Sequence, residues 1–284
     1  VGFLDDRHDL RPAWRFALQA VAILVMVYAG DVRLDNLGNL LGTGALWLGN
    51  WSVAMTVFGV LGVINAFNMI DGLDGLAGSL ALLSLACFSG FALAAGDFGG
   101  LLMLPMMCAL LGFLLFNART PWRSRAAVFM GETGSVLLGL SLAWYAVEFA
   151  NSRDYFTPIT AVWMLGIPLM DTIGLMLRRV LKGRSPFSAD REHLHHVLLR
   201  AGFSTSQTVG IVLAAQLLLA IIGILGWWAD VPEYVMFYSF LAVFALYLFG
   251  VLHAWKLMKL ARRVHEGMED PANHLPLKGS ERDD

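Results

Sequence analysis

Long apolar runs alternate with short polar clusters along this chain, and the alternation has the length scale of a bilayer. Eight runs lie near 13–30, 51–70, 76–95, 99–117, 133–150, 158–179, 208–228 and 233–255. Each is close to the ~20 residues that a helix needs to cross the hydrocarbon core, so each predicts a membrane-spanning helix. The fourth run carries Pro105. The sixth carries Gly166 and Pro168, which predict a kink of the kind neighbouring helices tolerate. The pattern is that of an all-α, polytopic membrane bundle of about eight spans, forming one transmembrane domain over 1–284.

The distribution of Lys and Arg orients the spans. If residues 1–12 are cytoplasmic, so are 68–75, 118–132, 180–207 and the tail 256–284. Those segments and their flanks hold eighteen of the twenty basic residues, leaving only Arg33 and Arg153 on the other side. The loop 31–50, rich in Gly, Leu and Asn, predicts a small hairpin on that other side, and Trp255 to His265 reads as a basic amphipathic surface anchor. Composition agrees: 57% hydrophobic, 15% charged and a mean hydropathy of +0.64 exclude an ordinary soluble domain. A net charge of −2 gives no indication of a nucleic-acid partner. Cys87 and Cys108 both lie in apolar runs and read as small buried hydrophobes. The chain starts at Val1 with no signal-peptide pattern, and the expectation is that it begins inside a longer protein.

Five polar clusters fall on the predicted cytoplasmic side, where ionisable groups next to a bilayer need a reason. Asp5-Asp6-Arg7-His8-Asp9-Leu10 offers two adjacent carboxylates, fit to hold a metal or keep one member basic, or else a solvated turn before a helix. Asn65 to Leu76 interleaves Asn65, Asn68, Asp71 and Asp74 with Gly72 and Gly75. Its i, i+3, i+6 spacing puts the first three near one helical face, suiting a metal and a nucleotide, although helix-end caps account for one or two of them. Phe129 to Ser135 places glycines and Glu132 at a helix start, either an anion and Mg²⁺ site or a cap. Asp171 is a site residue or the partner of a neighbouring helix. The loop Arg184 to His196 gathers Arg191, His193, His195 and His196, which suit a pyrophosphate. A zinc site is the rival, but the order Glu-His-Leu-His-His is not HExxH and no cysteine is near. A transporter with a midplane ion site is disfavoured, because the clusters share one side and no inverted repeat is visible.

The segments DDRHDL, NAFNMIDGLDGL, MGETGS, PLMDT and SPFSADREHLHH, in this order from Asp5 to about Ser204, resemble the polyprenyl-phosphate N-acetylhexosamine-1-phosphate transferase family (glycosyltransferase family 4). The HLHH form is similar to its WecA-like group. The resemblance implies transfer of N-acetylglucosamine 1-phosphate from UDP-GlcNAc to undecaprenyl phosphate, the first membrane step of a cell-surface polysaccharide. It implies Mg²⁺, with Mn²⁺ as an alternative, and the bacterial cytoplasmic membrane with the site facing the cytoplasm. It leaves open another UDP-N-acetylhexosamine as donor, a non-catalytic relative, and a homodimer. By residue, it implies Asp5 and Asp6 as catalytic carboxylates, Asn68 and Glu132 as metal ligands, Asp71 and Asp74 in the nucleotide pocket, and Arg191, His193, His195 and His196 around the pyrophosphate. Glu132 departs from the family, which usually has Asp there.

Overall fold

Apolar residues recurring on every face of each run leave helix as the only structure that satisfies its own backbone in lipid. The fold, given by a computed structural model, describes residues 2, 6–7, 11–151, 155–183, 185 and 193–269, with side chains as far as His253. In order come α1 (Pro12–Ala29), α2 (Ser52–Ile70), α3 (Leu76–Ala94), α4 (Leu104–Asn117), α5 (Gly131–Asn151), α6 (Pro158–Met164), α7 (Gly166–Leu181), α8 (Leu194–Arg200), α9 (Thr205–Trp228) and α10 (Glu233–Glu269). Seven helical stretches among the described residues are long and apolar enough to cross a membrane, and α6 with α7 makes an eighth if the bent pair is one span. The fourth run opens as a 3-10 turn, Phe98–Met103, before α4. The predicted hairpin is present between the first two spans: Asn36 bridges Trp47, and the Leu37 N–H donates to the Leu46 carbonyl at 3.0 Å.

The buried core runs through the bundle, with Phe67, Phe88, Leu142, Phe156 and Trp163 among its fully buried side chains. The most extensive helix contact is α2 on α5, the two elements whose ends carry polar clusters. Outward-facing Tyr28, Phe58, Leu102 and Leu246 are exposed apolar side chains, as a lipid-facing surface requires.

The expected kink is a sharp break, 86° between α6 and α7. Pro168 has no N–H for the Met164 carbonyl one turn earlier, so the helical ladder fails there. Gln216 of α9, fully buried, repairs it. Its Oε1 accepts from the Ile167 N–H at 2.8 Å, and its Nε2 donates to the Met164 carbonyl at 2.9 Å and the Trp163 carbonyl at 3.4 Å. The Ser84 hydroxyl adds a second donor to the Met164 carbonyl at 2.9 Å. The break therefore leaves these buried backbone groups satisfied, which is what lets it exist inside a bundle.

Candidate functional site

The site is built where three helix ends meet. α2 stops at Ile70, and Asp71 leaves the helical conformation. Gly75, at φ +83°, turns the chain into α3 in a left-handed conformation that favours glycine. Asn117, the last residue of α4, fixes that turn from the side: its Oδ1 accepts from the Gly75 N–H at 2.7 Å, and its Nδ2 donates to the Val128 carbonyl at 2.8 Å. Asp74 ties the same turn to the 118–130 loop, accepting from Arg119 Nε at 2.8 Å and from the Ala126 N–H at 3.2 Å.

The start of α5 completes the wall. Asp6 accepts from the Glu132 N–H at 2.9 Å, the Thr133 N–H at 3.1 Å and the Thr133 hydroxyl at 2.5 Å. Free N–H groups at a helix start are what a capping carboxylate satisfies. The Thr133 hydroxyl first, and then the two N–H groups, hold Asp6 below its ordinary carboxylate range. Asn68 Nδ2 donates to the Glu132 carboxylate and, at 3.0 Å, to the Ser135 hydroxyl. Arg15, from the first turn of α1, reaches the other Glu132 oxygen at 3.3 Å.

These groups surround a cavity of about 350 Å³, lined by Asp6, Asn68, Asp71, Asp74, Asn117, Phe129, Glu132 and Ser135 among others. That is the size of a small-molecule site. Burial, and then the charge of Glu132, push the Asp71 carboxyl up to about 6. Oxygen-bearing side chains of Asp6, Asn68, Asp71, Asp74 and Glu132 line this cavity, but among the described residues no three His, Cys, Asp or Glu side chains form a ready metal cage.

The histidines stand beside this cavity. His193 and His195 stack with centroids 5.3 Å apart at 12°, and His195 and His196 approach to 4.3 Å. His195 is 2% exposed, and among the described residues neither ring nitrogen has a hydrogen-bond partner. Burial first, then His196 and His193, push it down to about 4. Its ring lies against Gly72 so closely that a Cβ there would sit 2.6 Å from Nε2, which ties the histidine helix α8 to the cavity wall.

Two comparisons place this arrangement. The sequence model of glycosyl transferase family 4 matches residues 1–150. A Haemophilus influenzae protein named undecaprenyl-phosphate alpha-N-acetylglucosaminyl 1-phosphate transferase is 37% identical over 266 residues, covering 93% of this chain and 75% of that protein. The chain belongs to glycosyl transferase family 4. Proteins of the same name from Escherichia coli (strain K12) and Salmonella typhi are similar too. The first is 39% identical over 93% of this chain and 72% of that protein, and the second 38% identical over 97% and 76%.

In this family 4 chain the cavity gathers Asp6, Asn68, Asp71, Asp74 and Glu132, and His195 adjoins it through Gly72. His193 and His196 join through their ring contacts with His195. Asp5 and Arg191 lie outside the described residues. Sequence reasoning passed over Arg15, counted only for orientation, and Asn117, an amide ending an apolar run just as Asn68 does. It saw Asp171 without its partners. Asp171 accepts from His193 Nδ1 at 2.8 Å, the Leu194 N–H at 2.9 Å and the Tyr247 hydroxyl at 2.7 Å.

Proposed function

We propose that this chain transfers N-acetylglucosamine 1-phosphate from UDP-GlcNAc to undecaprenyl phosphate, giving undecaprenyl-pyrophosphoryl-GlcNAc and UMP. The observation that carries the reading is the convergence of Asn68, Asp71, Asp74 and Glu132 on one cavity beside a histidine cluster, in a chain whose relatives bear that activity in their names. The whole chain serves as one transferase domain in the bacterial inner membrane. By the sequence pattern, eighteen of the twenty basic residues fall in or beside the segments that carry the polar clusters, which turns the cavity to the cytoplasm, where a soluble nucleotide sugar arrives.

A phosphate oxygen of the lipid attacks the β-phosphorus of the donor. The bond from that phosphorus to the bridging oxygen breaks, and UMP leaves with the oxygen. Such transfers rest mostly on positioning and on offsetting charge. Asp71, raised first by burial and then by the charge of Glu132, shares the cavity with that second carboxylate; such a pair fits a divalent cation, and Mg²⁺ takes one or two carboxylates plus substrate phosphate oxygens. Asp71, Glu132 and the Asn68 oxygen would hold it, with Mn²⁺ as an alternative ion. Bound there, it neutralises charge on the transferring phosphoryl group. The histidine cluster, with Arg191, binds the pyrophosphate, and Asp74 stands at the nucleotide end. Asp6, already engaged with three donors, is anchored at the start of α5 and braces that wall of the cavity. An apolar cavity of about 440 Å³ between α2, α5, α6, α7 and α10 includes Val63, five residues before Asn68 on α2. That is about 7 Å along the helix, close enough for a polyprenyl tail whose phosphate reaches the site.

The test is UMP release from UDP-GlcNAc by the purified protein. Release that needs both undecaprenyl phosphate and Mg²⁺ is expected, and its absence overturns the reading. A panel with UDP-GalNAc and other UDP-N-acetylhexosamines assigns the sugar.

A further inference from the structure

Asp171 sits within α7, 2% exposed, and takes three hydrogen bonds from two other elements, the start of α8 and α10. His193 supplies Nδ1, the first residue of α8 supplies the Leu194 N–H, and α10 supplies the Tyr247 hydroxyl. A carboxylate only accepts. So the proton between Asp171 and His193 belongs to Nδ1, and Nε2 is the ring nitrogen not committed to Asp171. The same carboxylate sets where α8 begins, and α8 carries His195 and His196. From Tyr247 the contacts run through Asp171 and His193 to His195, and from His195 to the cavity wall at Gly72.

We propose that Asp171 and Tyr247 are positioning residues for the nucleotide-sugar half of the reaction: they fix the tautomer of His193 and the seat of the histidine cluster, and they do so without touching substrate. The assignment rests on the transferase reading above. It goes beyond that reading by giving a buried residue of α7 and one of α10 control over donor binding specifically. A ring orientation fixed by a buried carboxylate is what a ligand-binding imidazole needs to present the correct nitrogen. None of Asp171, Tyr247, His193 and His195 lines the apolar cavity assigned above to the lipid tail, so the lipid half of the reaction should be spared.

The test uses Asp171→Asn in the full chain. Asn keeps the shape and can still accept from Leu194 and Tyr247 through its oxygen. Its NH₂ group then faces His193 Nδ1, which must give up its proton, so the ring switches to the Nε2–H tautomer. In ¹⁵N-histidine NMR, one ring is expected to move from the Nδ1–H to the Nε2–H signature. The Kd for UDP in the presence of Mg²⁺ is expected to rise about tenfold or more, the scale of one lost charge-assisted hydrogen bond. The KM for undecaprenyl phosphate is expected to stay within about twofold. His193→Ala combined with Asp171→Asn is expected to bind UDP no more weakly than His193→Ala alone.

A switched tautomer with unchanged UDP affinity overturns the proposal. So does a parallel loss in both substrates with a lowered melting temperature, which marks a merely structural pair. If Asp171→Asn does not fold, Tyr247→Phe decides: a UDP Kd raised up to about fivefold with lipid KM unchanged supports the assignment, and an unchanged Kd overturns it. A wild-type chain that binds no uridine nucleotide removes the transferase reading and the assignment together. Unchanged binding in the variants removes the assignment alone.

Discussion

His195 makes acid stability a measurable consequence of the site's packing. Its ring is enclosed by His193, His196 and the backbone at Gly72, and its pKa falls from 6.5 to about 4. The unfolded chain therefore binds a proton near pH 6.5 that the folded chain refuses until about pH 4. The stability this neutral ring contributes is fully present above pH 6.5 and is lost as the pH falls through 4. The loss attributable to His195 is about 2 kcal/mol at pH 5 and approaches about 3 kcal/mol at pH 4. Asp71 works in the opposite sense. Raised from 3.8 to about 6, its carboxyl favours the folded state in acid and loses that contribution as the pH rises through 6. Wild-type stability alone can therefore look flat between pH 7.5 and 5, and the variants must separate the two. Equilibrium unfolding in mixed micelles, followed by tryptophan fluorescence, is expected to show a steeper acid loss in Asp71→Asn than in wild type. His195→Gln in the Asp71→Asn background is expected to flatten that loss by about 2 kcal/mol at pH 5. Equal acid slopes with and without His195 would refute the reasoning, because they would mean that the ring is hydrated enough to protonate in place.

Two further substitutions probe the same architecture. Arg15→Met removes the guanidinium that shares Glu132 with Asn68. Both partners are about one-third exposed, so the pair is worth at most about 1 kcal/mol. The Mg²⁺ concentration for half-maximal UMP release should then fall by up to about fivefold, and an increased requirement would count against Glu132 as an ion ligand. Gln216→Leu leaves the Ile167 N–H buried without its acceptor, while Ser84 still serves the Met164 carbonyl. It should cost about 1–3 kcal/mol in the same unfolding assay, and wild-type stability would show that the break repairs itself another way.

The spans and the clusters at their ends were legible because a bilayer permits so few alternatives. Residues such as Asn68 and Glu132 could only sit at a boundary or face a partner, and they do both, with the amide of one on the carboxylate of the other. The local hairpin at 31–50 was legible from its turn composition, and the site of the break from Gly166 and Pro168. The 86° of that break was not, because the backbone groups it frees are met by Gln216, some fifty residues away. A proline announces which carbonyl loses its donor. Only the packed bundle shows which side chain replaces it.

The same distinction explains why Arg15, Gln216 and Tyr247 gave no usable signal. Each stands within an apolar run, where a single polar residue reads as interfacial or as a tolerated exception. In lipid, however, an isolated polar side chain has a strong requirement for a partner, because water does not supply one. Gln216 finds the backbone of the α6–α7 break, Tyr247 finds Asp171, and Arg15 finds Glu132. Two of these three pairings end on a carboxylate beside the cavity or its histidines, and the third shapes the helix that carries Asp171. Solitary polar residues in the spans are thus the second layer of the site. The clusters at the span ends face the ligand, and the lone residues inside the bundle hold those clusters where the ligand needs them.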